Sequence, residues 1–128
     1  MPNRVAIVVD DERAIRRYIS TVLQRAQFQA VEAESGIDGL RLVRELGGEV
    51  DLIVSDIQMP KGDGLSFARD VRAAFAVIPI VLVSGLTTSA AECDAFVEKP
   101  FSPRELLEAV RKALAARRSV VAVSDRVA

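Results

Sequence analysis

VAIVVDDE, at residues 5–12, is the stretch that decides the fold. Its first five residues are apolar without interruption, which is typical of a strand that helices cover on both faces of a parallel sheet. Residues 80–83, IVLV, repeat this pattern later in the chain. We therefore expect both runs to be central strands of a parallel sheet.

Around these runs, short apolar segments alternate with longer segments whose apolar residues recur at the spacing of a helix face. Residues 28–33 instead alternate apolar and polar side chains, as an edge strand does. The predicted strands are residues 5–9, 28–33, 52–54, 80–83 and 95–98. The alternation predicts an α/β fold, a doubly wound five-stranded parallel sheet built from five βα units.

Capping signals mark the helix ends. Ser35 with Asp38, and Ser102 with Glu105, have the spacing of capping boxes. Asp63 is a candidate N-cap for the third helix. The last helix is expected to finish in Arg117-Arg118, because basic residues complement a helix C-terminus. We therefore expect one domain over residues 1–118 and a flexible C-terminal tail over residues 119–128.

The composition excludes several classes of function. Seventeen basic and eighteen acidic residues give no basic footprint for direct binding of nucleic acid. No apolar run is long enough for a membrane span or a signal peptide, so we expect a cytoplasmic protein without a membrane partner. A single cysteine and the lack of histidine exclude a disulfide framework within the chain and any nucleophile that an imidazole activates.

Three carboxylates follow predicted strands. Asp10 and Asp11 come directly after the first strand, and Asp56 comes after the third. If the strand order is 2-1-3-4-5, strands one and three are neighbours about 4.8 Å apart, and the three acids converge at the switch point where ligands bind. Two carboxylates about 5 Å apart repel by roughly 3 kcal/mol at an effective dielectric constant of about 20. A bound Mg²⁺ would relieve this repulsion.

Two further polar groups follow the fourth and fifth strands. The hydroxyl of Ser84, with Gly85 next to it, can donate to an oxyanion, and Lys99 places an ammonium at the same edge. Each has an ordinary explanation: a Ser-Gly turn and a solvated lysine. Together with the acids they match Mg²⁺-assisted attack by a carboxylate on a phosphoryl group. The expected product is an aspartyl phosphate.

Four motifs resemble the receiver domain of two-component response regulators, and the resemblance covers nearly the whole chain. They are VDDE at residues 9–12, DIQMP at 56–60 with DGL at 63–65, VSG at 83–85 and FVEKPF at 96–101. The resemblance implies a flavodoxin-like sheet and a partner, a sensor histidine kinase or a phosphotransfer protein, whose phosphohistidine donates the phosphoryl group. It also implies signalling to a downstream protein through protein–protein contact.

The same resemblance assigns roles to individual residues. It implies that Asp56 is the phosphoacceptor and that Lys99, Ser84 and Gly85 bind the phosphoryl group. It implies that Asp11, Asp56 and the backbone carbonyl of Gln58 ligate Mg²⁺, with Asp10 reaching the metal directly or through water. Ser84 and Phe96 are the expected switch residues, and the Lys99-Pro100 bond is expected to be cis.

The chain departs from the usual receiver pattern after the fourth strand. Residues 86–93 are short for a parallel crossover, which ordinarily takes about a dozen residues or more. We therefore expect a stunted, mobile fourth helix there, which phosphorylation could order. Because the chain has about the length of a receiver alone, we expect a single-domain regulator.

Two other functions remain open at this point. A Mg²⁺-dependent phosphohydrolase would also form an aspartyl phosphate, but it needs a cap over its substrate and a second acid for the leaving group. A degenerate receiver would keep the acids and serve as a scaffold. Assays with Mg²⁺ and a phosphoryl donor separate the three.

Overall fold

The computed structural model of the chain describes residues 4–60, 63–85 and 93–127, with side chains described as far as residue 118. The elements are, in chain order, β1 (Arg4–Val9), α1 (Arg13–Arg25), β2 (Phe28–Ala33), α2 (Gly36–Glu45), β3 (Leu52–Asp56), α3 (Gly64–Ala74), β4 (Ile80–Ser84), β5 (Ala95–Glu98) and α4 (Pro103–Val127). Among the described helices, none combines the length and the apolar character that crossing a bilayer requires.

The five strands form one parallel sheet in the order β2-β1-β3-β4-β5. Both the predicted fold and the predicted order are confirmed. Every residue of β3 and β4 is buried, as expected for strands that begin with apolar runs and are covered on both faces. β2 lies at one edge, where its alternating sequence places polar side chains toward solvent.

Helices cover both faces of the sheet. Alternate strand residues point to opposite faces, so Ala6 and Val8 pack with α1 and α4, whereas Ile7 and Val9 pack with α2 and α3. Full burial of a valine, leucine or isoleucine side chain contributes about 1.5–3 kcal/mol. The two apolar layers therefore hold the strand ends, and the polar residues that follow them, in a fixed arrangement.

The predicted caps are present. The Asp38 N–H donates to Ser35 Oγ at 3.1 Å, and Ser102 and Glu105 exchange two hydrogen bonds at 2.9 and 3.1 Å. Asp63 accepts from the Ser66 N–H at 2.8 Å. These bonds satisfy N–H groups that a helix start leaves without partners, and they confirm the predicted starts of α2, α3 and α4.

Two expectations about the second half of the chain need comment. The prediction that the last helix ends at Arg117-Arg118 is wrong, because α4 continues to Val127. Residues 119–127 contain neither glycine nor proline, so nothing in them interrupts the helix. The flexibility of this tail stays a prediction. The stunted, mobile fourth helix was placed on residues 86–93, of which 86–92 lie outside the described part of the chain.

Candidate functional site

Three carboxylates meet at the carboxyl edge of the sheet. Asp10 and Asp11 follow β1, Asp56 is the last residue of β3, and the pairing of Val9 with Ser55 sets Asp10 beside Asp56. One oxygen from each carboxylate lies within 4.8 Å of the others. Asp10 is fully buried, Asp56 is 3% exposed and Asp11 is exposed to solvent. The predicted convergence of the three acids is therefore present.

Lys99 faces two of these acids. Its Nζ lies 3.4 Å from Asp10 Oδ2 and 3.4 Å from Asp56 Oδ1. Its backbone N–H donates to the Ser84 carbonyl at 2.7 Å, which fixes the residue after β5 against the end of β4. The Lys99-Pro100 peptide bond is cis, as predicted.

Burial governs the protonation of the site. It raises the pKa of Asp10, an effect that the hydrogen bond from the Glu12 N–H and the Lys99 charge oppose. Burial likewise raises the pKa of Asp56 against the opposing charge of Lys99. Burial alone would lower the pKa of Lys99, but the Asp10 and Asp56 carboxylates outweigh it and the net pKa is raised. Within the described part of the chain, the Lys99 ammonium thus shares a buried space with two carboxylates, whose combined charge exceeds its own.

The remaining predicted residues lie around this cluster. Ser84 ends β4 at the same edge of the sheet and is 1% exposed, and Gly85 after it is exposed. The backbone N–H of Gln58 opposes the rise in the pKa of Asp56, while the role of the Gln58 carbonyl as a metal ligand stays a prediction. Phe96 lies apart from the acids, half-buried in β5 against the α2 and α3 side of the core.

The donor set fits Mg²⁺. Carboxylate oxygens are the ligands that this ion prefers, and three of them converge here, where Lys99 is the one lysine among the described residues that balances them. Among the described residues, Asp56 Oδ1 also finds no hydrogen-bond donor of good geometry, although it is buried. A buried carboxylate oxygen in that situation is costly unless a cation or a donor satisfies it. A cation at this cluster would supply what the side chains alone do not.

Arg16 was not identified from the sequence as a residue that holds the site in place, and Gly64 was noted there only within the DGL motif at residues 63–65. Gly64, the first residue of α3, donates its N–H to the Ile57 carbonyl at 2.8 Å. Arg16 is buried in α1 and donates to the Asp10 carbonyl. The available signal for Arg16 was a charged residue on the apolar face of a helix, three residues before Ile19.

Gly64→Ala is expected to destabilise the protein by about 1–3 kcal/mol, the usual effect of overpacking. A Cβ at this position would overlap the Asp56 carbonyl oxygen and lie 2.8 Å from Ile57 Cα, so α3 must move away from β3. Thermal unfolding measures the effect. Gly85→Ala is the matched control, because a Cβ there meets none of the described residues within 4 Å. Equal stability of the two variants would contradict the close approach.

Asp56→Asn is expected to stabilise the Mg²⁺-free protein at neutral pH. Because burial raises the pKa of Asp56 above its ordinary value of 3.8, the folded state holds the proton more tightly than the unfolded chain does. The stability from this group is complete below the ordinary pKa and is lost as the pH rises through the raised one. Unfolding temperatures measured from acid to neutral pH should show that Asp56→Asn is more stable than the wild type at neutral pH and that this difference disappears in acid. An advantage that is independent of pH would contradict this account.

Comparison with known proteins agrees with this geometry. Sensor kinase CckA of Brucella abortus (strain 2308) is 37% identical over 115 residues, which are 84% of this chain and 12% of that protein. The KDP operon transcriptional regulatory protein KdpE of Escherichia coli (strain K12) is 33% identical over 84% of this chain and 50% of its own length. The chain thus spans half or less of the length of these relatives.

The solved structures include a similar receiver. The response regulator protein TrrA of Thermotoga maritima, solved in complex with Mg(2+)-BeF, has a TM-score of 0.76 and is 32% identical over 87% of this chain and 99% of that chain. Residues 6–111 match the family profile of the response regulator receiver domain. Since this match covers most of the sequence and ends beyond Lys99, the chain belongs to the response regulator receiver domain family.

Proposed function

We propose that this receiver domain accepts a phosphoryl group on Asp56, with Mg²⁺, from the phosphohistidine of a cytoplasmic sensor histidine kinase or phosphotransfer protein. The observation that carries the proposal is the cluster of three carboxylates within 4.8 Å, with Lys99 against two of them. Of the three acids, Asp56 is the buried one that also offers an oxygen without a good hydrogen bond. It is therefore our candidate for the group that reacts.

The transfer itself needs a nucleophile and a way to disperse negative charge. An oxygen of the Asp56 carboxylate attacks phosphorus, the new O–P bond forms, and the P–N bond to the donor histidine breaks with its electron pair staying on the imidazole nitrogen. Asp11, Asp56 and the Gln58 carbonyl would hold Mg²⁺, with Asp10 reaching it directly or through water, and the bound ion would supply charge neutralisation at the phosphoryl oxygens. The reaction uses no histidine of this chain, in agreement with its composition.

Lys99 and Ser84 complete the proposed site. Because the neighbouring carboxylates raise the pKa of Lys99, its ammonium stays charged at neutral pH and is available to a phosphoryl oxygen. The Ser84 hydroxyl, at the end of β4, donates a hydrogen bond to another such oxygen, with Gly85 leaving space beside it. A downstream protein then recognises the altered surface, and Ser84 and Phe96 are the switch residues that relay the change to it.

Mg²⁺ is expected to raise the unfolding temperature of the unmodified protein. The ion binds a cluster that exists only in the folded chain, so a concentration ten times its Kd adds about 1.4 kcal/mol of stability. Thermal unfolding with and without MgCl₂ measures this, with NaCl at the same ionic strength as the control. An unfolding temperature that responds equally to both salts would contradict a magnesium site.

Intact mass spectrometry tests the phosphoryl transfer. After incubation with Mg²⁺ and a small acyl-phosphate donor, the protein should gain the mass of one phosphoryl group. Mg²⁺ binding without any mass gain would instead support a scaffold that has kept the acids but lost the reaction. Continuous consumption of the donor with many turnovers per chain would support a phosphohydrolase. Either result would overturn the proposed function.

A further inference from the structure

Arg16 carries a buried charge that the proposed chemistry does not use. The residue lies on the core side of α1 and is 8% exposed. Its guanidinium makes two hydrogen bonds of 2.8 Å, from Nη1 to the Asp10 carbonyl and from Nε to Glu32 Oε1. A buried arginine is costly unless it is paired and hydrogen-bonded, and here both conditions are met.

The first of these bonds holds the turn that carries two of the acids. The Asp10 N–H donates to the Ala33 carbonyl at 3.1 Å, and Asp10 Oδ1 accepts from the Glu12 N–H at 2.9 Å. The bond from Arg16 adds a third restraint, on the carbonyl of the same residue. Asp10 is thereby fixed through its amide, its carbonyl and its carboxylate together.

The second bond ties this turn to the edge of the sheet. Glu32 lies in β2, where it pairs in register with Val8, and its side chain is 30% exposed. Glu32 therefore projects from a strand of the sheet, and its carboxylate orients the guanidinium through Nε while Nη1 bonds to the Asp10 carbonyl. The path from Glu32 through Arg16 to Asp10 links the edge strand to the acid cluster.

We propose that Arg16 is a positioning residue, which Glu32 orients and which sets the Mg²⁺ affinity of the Asp10–Asp11 turn. This inference rests on the proposed magnesium site. Mg²⁺ demands a near-ideal octahedral arrangement of its ligands, so a small displacement of the turn weakens binding. Loss of a partner that orients a metal ligand typically weakens metal affinity by 10–100-fold.

The test is the Mg²⁺ dissociation constant of the folded, unphosphorylated protein, measured by calorimetric titration. Arg16→Met, which keeps an apolar stem but loses both bonds, should bind Mg²⁺ at least about tenfold more weakly than the wild type. Glu32→Met should also weaken binding. Glu32→Gln keeps an acceptor for Arg16 Nε and should stay within about twofold of the wild type.

Arg72→Met is the matched structural control. Like Arg16, Arg72 donates to backbone carbonyls, those of Ala76 and Ile78, and to a carboxylate, that of Asp94. These partners lie at the amino ends of the strands, away from the proposed Mg²⁺ site. Loss of Arg72 should lower the unfolding temperature and leave the Mg²⁺ dissociation constant unchanged. The control thus separates a general loss of stability from a displaced metal site.

The outcomes separate this inference from the proposed function. A wild-type protein that binds no Mg²⁺ overturns both. Wild-type affinity in Arg16→Met, whatever its unfolding temperature, overturns the inference and leaves the magnesium site standing. If Arg16→Met does not fold, Glu32→Met takes its place, because Glu32 orients the guanidinium. Wild-type Mg²⁺ affinity in Glu32→Met would then overturn the inference and leave the magnesium site standing.

Discussion

We expect Asp56→Asn to abolish phosphoryl incorporation when the protein is incubated with an acyl-phosphate donor and Mg²⁺. The amide cannot act as the nucleophile, and neither Asp10 nor Asp11 replaces it. Lys99 lies 3.4 Å from both Asp10 and Asp56, but Asp10 also accepts from the Glu12 N–H, whereas Asp56 Oδ1 finds no good hydrogen bond among the described residues. Intact mass spectrometry should show one added phosphoryl group on the wild type and none on the variant.

Two controls make this result specific. Asp70→Asn removes an exposed carboxylate of α3, outside the acid cluster, and should leave incorporation unchanged. Hydroxylamine cleaves acyl phosphates, so it should remove the added mass from the wild type. A phosphoryl group that still appears on Asp56→Asn, or one that resists hydroxylamine, would place the acceptor on another residue.

Much of the fold could be predicted from the sequence because its signals are local. Uninterrupted apolar runs identify the buried strands, and Asp10 and Asp56 can be placed because parallel strands end at one edge of the sheet. Ser35 and Ser102 mark helix starts because a cap needs only residues that are three positions apart. Each of these features depends on a few neighbouring residues.

The residues that sequence reasoning missed depend on distant parts of the chain. Arg16 becomes meaningful only when α1 brings it to the Asp10 carbonyl and to Glu32, which lies in another strand. Gly64 was noted only within the DGL motif, and the need for glycine there follows from the close approach of α3 to the backbone of β3. The predicted end of α4 was wrong because paired arginines stabilise a helix terminus but do not stop a helix from continuing. Such features follow from packing, which no local pattern encodes.

The ion cluster of Asp94, Arg72 and Arg117 lies just before β5, at the end of that strand remote from Lys99. The Asp94 side chain is 3% exposed, and each arginine places a nitrogen 2.8 Å from one of its oxygens. The carboxylate also accepts from the Ile80 N–H at 2.9 Å. The cluster thereby joins α3, α4 and the starts of β4 and β5.

Asp94→Ala is therefore expected to destabilise the protein by about 3 kcal/mol, which is roughly 10 °C in unfolding temperature. Removing one partner of a buried ion pair costs about 3–5 kcal/mol, and we expect the lower end because water reaches the arginines, which are 20% and 22% exposed.

Three comparisons make this prediction specific to a buried cluster. Arg104→Ala breaks an ion pair whose arginine is 87% exposed and should change stability by less than about 1 kcal/mol. The double variant Arg72→Met with Asp94→Ala should lose less stability than the two single variants lose in sum. Arg72→Met removes a charge that Asp94→Ala would otherwise leave without its partner. The Asp94 cluster lies at the amino ends of β4 and β5, whereas the three carboxylates of the proposed Mg²⁺ site lie at the carboxyl ends of the strands. Asp94→Ala should therefore keep the wild-type Mg²⁺ affinity. A loss no larger than that of Arg104→Ala would show that the Asp94 cluster contributes no more than a surface ion pair.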